Sequence, residues 1–158
     1  RPTHSEDFEE IQVNGLVDYV YALTATYMRH SHITFRFEPD PDLPTISGIP
    51  EQLRQVMLNL FMNAIEAMRS GGELTVRTER LARQKKILIS IHDTGAGIDP
   101  RLLAHIFEPF VTNKESGTGL GLTITYDIIQ QHHGEIQAGN DPQGGATFRV
   151  WLPVRRKG

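Results

Sequence analysis

The sequence predicts an α/β sandwich built on a mixed sheet, and three observations lead there. Long segments place apolar residues three and four apart, as helices with one buried face do. Shorter segments alternate apolar and polar residues or run apolar throughout, as strands do. The strand-like runs also come in hairpin pairs beside long helices. Strict strand–helix alternation, which a doubly wound parallel sheet needs, is missing.

In chain order, residues 1–12 are polar and read as a linker remnant. Asn14 is placed to cap a helix reaching to about Met28, with Leu16, Val17, Val20, Leu23 and Tyr27 at helical spacing. Ile33–Phe37 alternates as a half-buried strand, and Pro39, Pro41 and Pro44 then forbid regular structure. Glu51–Met68 is strongly helical: Leu53, Val56, Met57, Leu60 and Ala64 form a stripe, and Pro50 sits where a first-turn proline is tolerated. Ser70-Gly71-Gly72 ends it. Glu73–Thr78 and Lys86–His92 read as strands joined by a basic connection. A glycine turn follows, then a short helix near Arg101–Ile106 and a polar loop over Val111–Gly119. Leu120–Gln131 reads as a helix stopped at Gly134. Glu135–Ala138 and Thr147–Leu152 supply the last strands. The domain is expected over 13–154, with a tail at 155–158.

Composition agrees with a globular unit. The chain has 158 residues, 39% hydrophobic and 22% charged, the size of one ordinary domain with room for a core and a cleft. Net charge is -3 and the longest basic run is Arg155-Arg156-Lys157, which argues against a nucleic-acid partner. No run approaches a membrane span, so no membrane contact is expected of this domain. Cysteine is absent, which excludes thiolate metal sites and fits a reducing, cytoplasmic setting. The opening Arg1-Pro2 does not resemble a natural start and points to a longer parent protein.

Three features exceed what a core needs. Gln52, Gln55, Asn59, Asn63 and Glu66 share one helical face. Asparagine is poor in helix interiors, yet its carbonyl oxygen is a hard ligand suited to Mg²⁺. Such a face lines a cleft or simply meets water. Asp93-Thr94-Gly95-Ala96-Gly97 follows the apolar strand; it is either a ligand-approaching turn or an ordinary capped one. Gly117-Thr118-Gly119-Leu120-Gly121-Leu122 opens a helix, where backbone amides attract anions. No P-loop, no protein-kinase signature and no Rossmann context accompanies it.

Together these segments resemble the histidine kinase and Hsp90-like ATPase superfamily. Asn59–Ala64 is similar to its N box, Asp93–Gly97 to its G1 box and Phe107-Glu108-Pro109-Phe110 to its F box. Gly117–Leu122 is similar to its G2 box and Gly144–Phe148 to its last glycine motif. The resemblance implies the Bergerat ATP-binding fold: two layers, with helices on one face of a mixed, mostly antiparallel sheet. It implies ATP and Mg²⁺ as ligands. Asp93 would take the adenine amine, with Thr147 helping through water. Gly95, Gly97 and Ile98 would shape the adenine pocket. Asn63 would ligate Mg²⁺ and Asn59 would contact phosphate. Gly117, Thr118, Gly119, Leu120, Gly121 and Leu122 would cradle phosphates. Lys114, in a short lid over Val111–Ser116, would neutralise the γ-phosphate. Glu66 stands where some relatives carry a basic residue.

The resemblance also bears on the reaction. Hydrolases of the superfamily carry a glutamate base one turn before the metal asparagine; here that place holds Asn59, which cannot take a proton. Transfer to a protein histidine needs mainly positioning and charge neutralisation. His4, His30, His32, His92, His105, His132 and His133 all lack an acceptor context, and His133 reads as a helix C-cap. The expected acceptor is therefore a helical hairpin outside this chain, with a response regulator downstream. The isolated domain is expected to be monomeric. An anti-sigma serine kinase shares the fold but usually lacks the complete Phe-Glu-Pro-Phe.

Overall fold

The computed structural model describes residues 7–112 and 119–155. Two layers form. Strands β2 (Ile33–Glu38), β4 (Gly72–Leu81), β5 (Lys86–Asp93), β6 (Glu135–Asn140) and β7 (Ala146–Pro153) make one sheet in the order β2-β4-β5-β7-β6. The β2–β4 pair is parallel and every other pair in that sheet is antiparallel. Helices α1 (Val13–His30), α2 (Pro50–Ala67) and α4 (Gly121–Gln131) form the second layer, and α3 (Pro100–Leu103) is a single turn.

Alternation fixes which side of the sheet is covered. On β5, Ile87, Ile89, Ile91 and Asp93 are buried while Lys86, Leu88, Ser90 and His92 are half-exposed. On β7, Ala146, Phe148, Val150 and Leu152 share the buried side. They meet Leu53, Val56, Met57, Leu60 and Phe61 of α2, all at most 2% exposed. The α2 stripe read from the sequence is thus the centre of the core.

Other expectations need correction. Residues 9–11, expected to be linker, form β1 and pair antiparallel with β3 (Ile46–Gly48), a strand the sequence reading missed. Ile11 and Ile46 are buried by that pairing. Arg155, expected in a tail, donates its backbone N–H to Thr45 O and pairs its guanidinium with Glu10.

Asn14 is not the cap of α1. Gln12 holds that place, and Asn14 lies inside the first turn. Its Nδ2 donates to Asp40 O at 2.8 Å and its Oδ1 accepts from Thr78 Oγ1 at 2.7 Å. The amide therefore ties the helix to the proline-rich loop and to β4. The buried stripe of α1 is Val13, Val17, Val20, Thr24 and Met28, whereas Leu23 and Tyr27 are exposed.

The C-terminus of α4 is as expected. His133 takes φ +60; its N–H donates to Gln130 O, and Gly134 N–H donates to Ile129 O. This is the two-bond reversal that commonly ends helices. Gly134 is needed for another reason: a Cβ there would sit 2.4 Å from Trp151 O.

Candidate functional site

A cleft of about 830 Å³ opens between α2 and the end of the sheet. Asp93, Ala146 and Phe148 line it from the sheet, and Asn59, Asn63 and Glu66 line it from α2. The 94–98 turn contributes Gly95, Gly97 and Ile98, while the approach to α4 contributes Gly119, Gly121 and Leu122. Nine residues expected at a nucleotide site from sequence are therefore brought together: Asn59, Asn63, Asp93, Gly95, Gly97, Ile98, Gly119, Gly121 and Leu122.

The turn is forced onto its neighbours. Asp93 ends β5 at 2% exposure, and Gly95 N–H donates to its Oδ1 at 2.8 Å. A Cβ at Gly95 would lie 2.4 Å from Ala67 O, so only glycine lets the turn abut the end of α2. Thr94 Oγ1 accepts the Glu73 N–H at 2.9 Å and anchors the other side to β4. Beyond the turn, Asp99 caps α3 by accepting from Arg101 N–H, and its hydrogen bond to the Arg101 side chain holds its carboxyl below the usual range.

The polar face of α2 is structural as well as accessible. Asn59 Nδ2 donates to Gly121 O at 3.2 Å and to Thr125 Oγ1 at 3.3 Å, and Gln55 Nε2 donates to Asn59 Oδ1 at 2.7 Å. Asn59 thus fastens the glycine-rich start of α4 to α2. Gly119 takes φ +76, and a Cβ there would lie 2.5 Å from the Phe110 backbone. By contrast a Cβ at Gly121 would meet nothing within 4 Å among the described residues, so their packing does not demand glycine there. A ligand approaching the backbone would.

Two expected residues do not belong to the cleft. Thr147 stands opposite His92 in the β5–β7 register, and its Oγ1 lies 2.8 Å from His92 Nδ1 on the sheet face away from the helices. Period-two alternation puts Asp93 on the other side. Ala146, paired with Asp93, occupies the cleft position instead and brings no hydroxyl. Leu120 is 38% exposed and does not line the cleft. Lys114, Gly117 and Thr118 lie outside the described residues, as does most of the expected lid. Sequence reasoning missed Ala67, Arg69, Ile106 and Phe148 as lining residues. The alternation of β7 carried the signal for Phe148.

The donor set fits a magnesium ion carried by a ligand. Among the described residues no group of three or more His, Cys, Asp and Glu could hold a metal by itself. Asn63 offers one hard oxygen at the cleft, which suits an ion that keeps waters and draws its remaining ligands from phosphates.

Comparison with known proteins agrees with this geometry. The family model described as "Histidine kinase-, DNA gyrase B-, and HSP90-like ATPase" matches residues 48–156. The chain is similar to the signal transduction histidine-protein kinase AtoS of Escherichia coli K12, at 38% identity over all of this chain and 26% of AtoS. It is similar to the catalytic domain of histidine kinase ThkA, with 34% identity and TM-score 0.83 over 92% of this chain and 97% of that one. ThkA in complex with response regulator protein TrrA matches at 32% identity and TM-score 0.80, covering 94% of this chain and 42% of that one. Full-length ShkA in complex with AMPPNP matches at 27% and 0.84, covering 95% and 32%. This chain spans about a quarter to a third of curated relatives such as AtoS and the sensor histidine kinase ZraS of Escherichia coli K12.

Proposed function

Because the chain belongs to the histidine kinase-, DNA gyrase B- and HSP90-like ATPase family, and within it to the histidine kinase catalytic domains, we propose that it binds Mg-ATP and passes the γ-phosphoryl group to a histidine on a separate helical hairpin. The observation that carries this is the pairing of Asp93 and Asn63 in one cleft with Asn59, a group that cannot take a proton, one turn before Asn63.

Each residue has a task in that reading. Asp93 accepts from the adenine amine, and Ile98 and Phe148 supply apolar walls. Asn63 holds Mg²⁺, which would neutralise phosphate charge when bound. The α4 N-terminus and the open side of Gly121 receive phosphate oxygens, and Asn59 keeps that terminus against α2. Lys114 supplies a further positive charge. Glu66 lines the same cleft and would repel phosphate unless it meets Mg²⁺-bound water. Asn59 cannot act as the base that water would need at that place, whereas an imidazole is itself a nucleophile. The P–O bond to ADP breaks as the P–N bond to the acceptor forms.

The acceptor docks, in this reading, where apolar side chains surround the mouth. Phe110 is 75% exposed, and Leu120 and Ile124, one helical turn apart at the start of α4, are 38% and 47% exposed. Phe107 is not part of that face: it packs on Tyr126 and Phe148. A response regulator would act on the hairpin afterwards; the similar kinase ThkA forms a complex with response regulator protein TrrA. The setting proposed is cytoplasmic; no helix among the described residues is long and apolar enough to cross a membrane.

Radiolabelled ATP tests the proposal. With the parent protein's hairpin added as a separate polypeptide, label should appear on the hairpin, labile to acid and stable to alkali. Label on a serine of an added anti-anti-sigma protein would favour the serine-kinase reading instead.

A further inference from the structure

We infer that Asn140, the last residue of β6, is a positioning residue that sets the adenine side of the cleft; this rests on the nucleotide reading above. Its carboxamide meets the Ile98 peptide unit at both ends. Ile98 N–H donates to Asn140 Oδ1 at 2.7 Å, and Asn140 Nδ2 donates to Ile98 O at 2.7 Å. A side chain is thereby doing what a neighbouring strand would do, pairing one residue of an irregular turn by donor and acceptor together. Few side chains can. Aspartate lacks the donor, serine reaches one group only, and leucine has neither.

The contact is close and the turn has little slack. Gly97 takes φ +82, and a Cβ there would lie 3.0 Å from Asn140 Oδ1. Ile98 is 8% exposed and lines the cleft, so its position is the position of the wall. The same β6–β7 hairpin touches the other end of the turn. Gly145, at φ +84, comes so near that a Cβ would lie 1.9 Å from Asp93 O. Asn140 pairs with Ala146 across the ladder, and Ala146 pairs with Asp93. One hairpin therefore holds Asp93 by backbone approach and Ile98 by the Asn140 clamp. The distance between the adenine acceptor and the apolar wall beside it is built into β6 and β7. Asn140 itself does not line the cleft, so it acts through Ile98 and Asp93.

Calorimetry with ATP and with purine riboside triphosphate, which lacks the 6-amine, tests this. Wild-type protein should prefer ATP; equal affinities would remove the assignment of Asp93 to the amine, and binding of neither would sink the nucleotide reading itself. Asn140→Ala should lose about tenfold in ATP affinity, the scale of two modest hydrogen bonds. It should bind purine riboside triphosphate almost as wild type does, so discrimination collapses. Asn140→Ser, keeping one hydroxyl, should fall between. Thermal melts without nucleotide separate this from simple unfolding, because a purely structural role lowers the melting temperature and leaves the affinity ratio of the folded protein unchanged. Folded variants with wild-type discrimination would overturn the inference. So would failure of both variants to fold, which would make Asn140 a residue of the fold rather than of the cleft.

Discussion

At the scale of single residues, burial decides what each polar group does. Asp93 is 2% exposed at the cleft, where a carboxylate only accepts. Asp93→Asn should cut ATP affinity at least tenfold, about 1.4 kcal/mol, and GTP, with a carbonyl in place of the amine, should bind poorly to wild type. Calorimetry reads both, and equal ATP and GTP affinities would remove the assignment. Asn63→Ala should weaken Mg-ATP binding or transfer while circular dichroism stays unchanged. His132 makes a different point. It is 2% exposed; Ile49 N–H donates to its Nε2 at 3.0 Å, so its Nδ1 carries the proton toward Ile128 O at 2.8 Å. Both nitrogens are used by the neutral ring. Burial pushes its pKa below the usual 6.5, against the opposing pull of the Ile128 carbonyl. Above that usual value the ring is neutral folded and unfolded, and stability is full. As pH falls below it the unfolded chain binds a proton that the folded one resists, so stability drains away. Urea melts at pH 7.5 and 5.5 should show a larger loss for wild type than for His132→Gln. Sequence alone gave no hint of this histidine's burial, because the residue follows a helix end and looks like its neighbour His133.

Among elements, the legible ones were those whose pattern repeats several times. The α2 stripe is read correctly because five apolar positions agree with one another, and its polar face has a cleft to line. On α1 the stripe is read correctly at Leu16, Val17 and Val20 and wrongly beyond them. Leu23 and Tyr27 have the right spacing but are 52% and 57% exposed, while Thr24 is buried with its hydroxyl turned back to Val20 O at 2.9 Å. A threonine that satisfies itself looks polar in sequence and behaves as core. Met28→Ala should therefore cost about 2–5 kcal/mol and Leu23→Ala within about 0.5 kcal/mol, read from urea denaturation; equal losses would contradict the observed phase. Strands β1 and β3 escaped notice because three residues show too little alternation to detect, and because their pairing joins positions such as Glu9 and Gly48 that are far apart in sequence. Thr147 was misassigned through a one-residue slip, which in a strand reverses the face.

For the whole molecule, the sheet order matters more than any one element. Placing β5 between β4 and β7 brings the Asp93 turn, the Gly145 approach and the end of α2 to one corner. Gly95 and Gly145 reveal that corner in the sequence because close approach permits no other residue at either position. The contribution of Asn140 stays hidden, since an asparagine at a strand end has many uses. What this corner builds, in the reading proposed above, is a holder of nucleotide in which Asn59 stands where a hydrolase would carry its glutamate base, and that is the central claim. It is tested by saturating the chain alone with Mg-ATP, then following binding by calorimetry and released phosphate in the same sample. Binding is expected, with phosphate release no faster than from ATP in buffer. Steady release that scales with protein and disappears in Asp93→Asn would contradict the account.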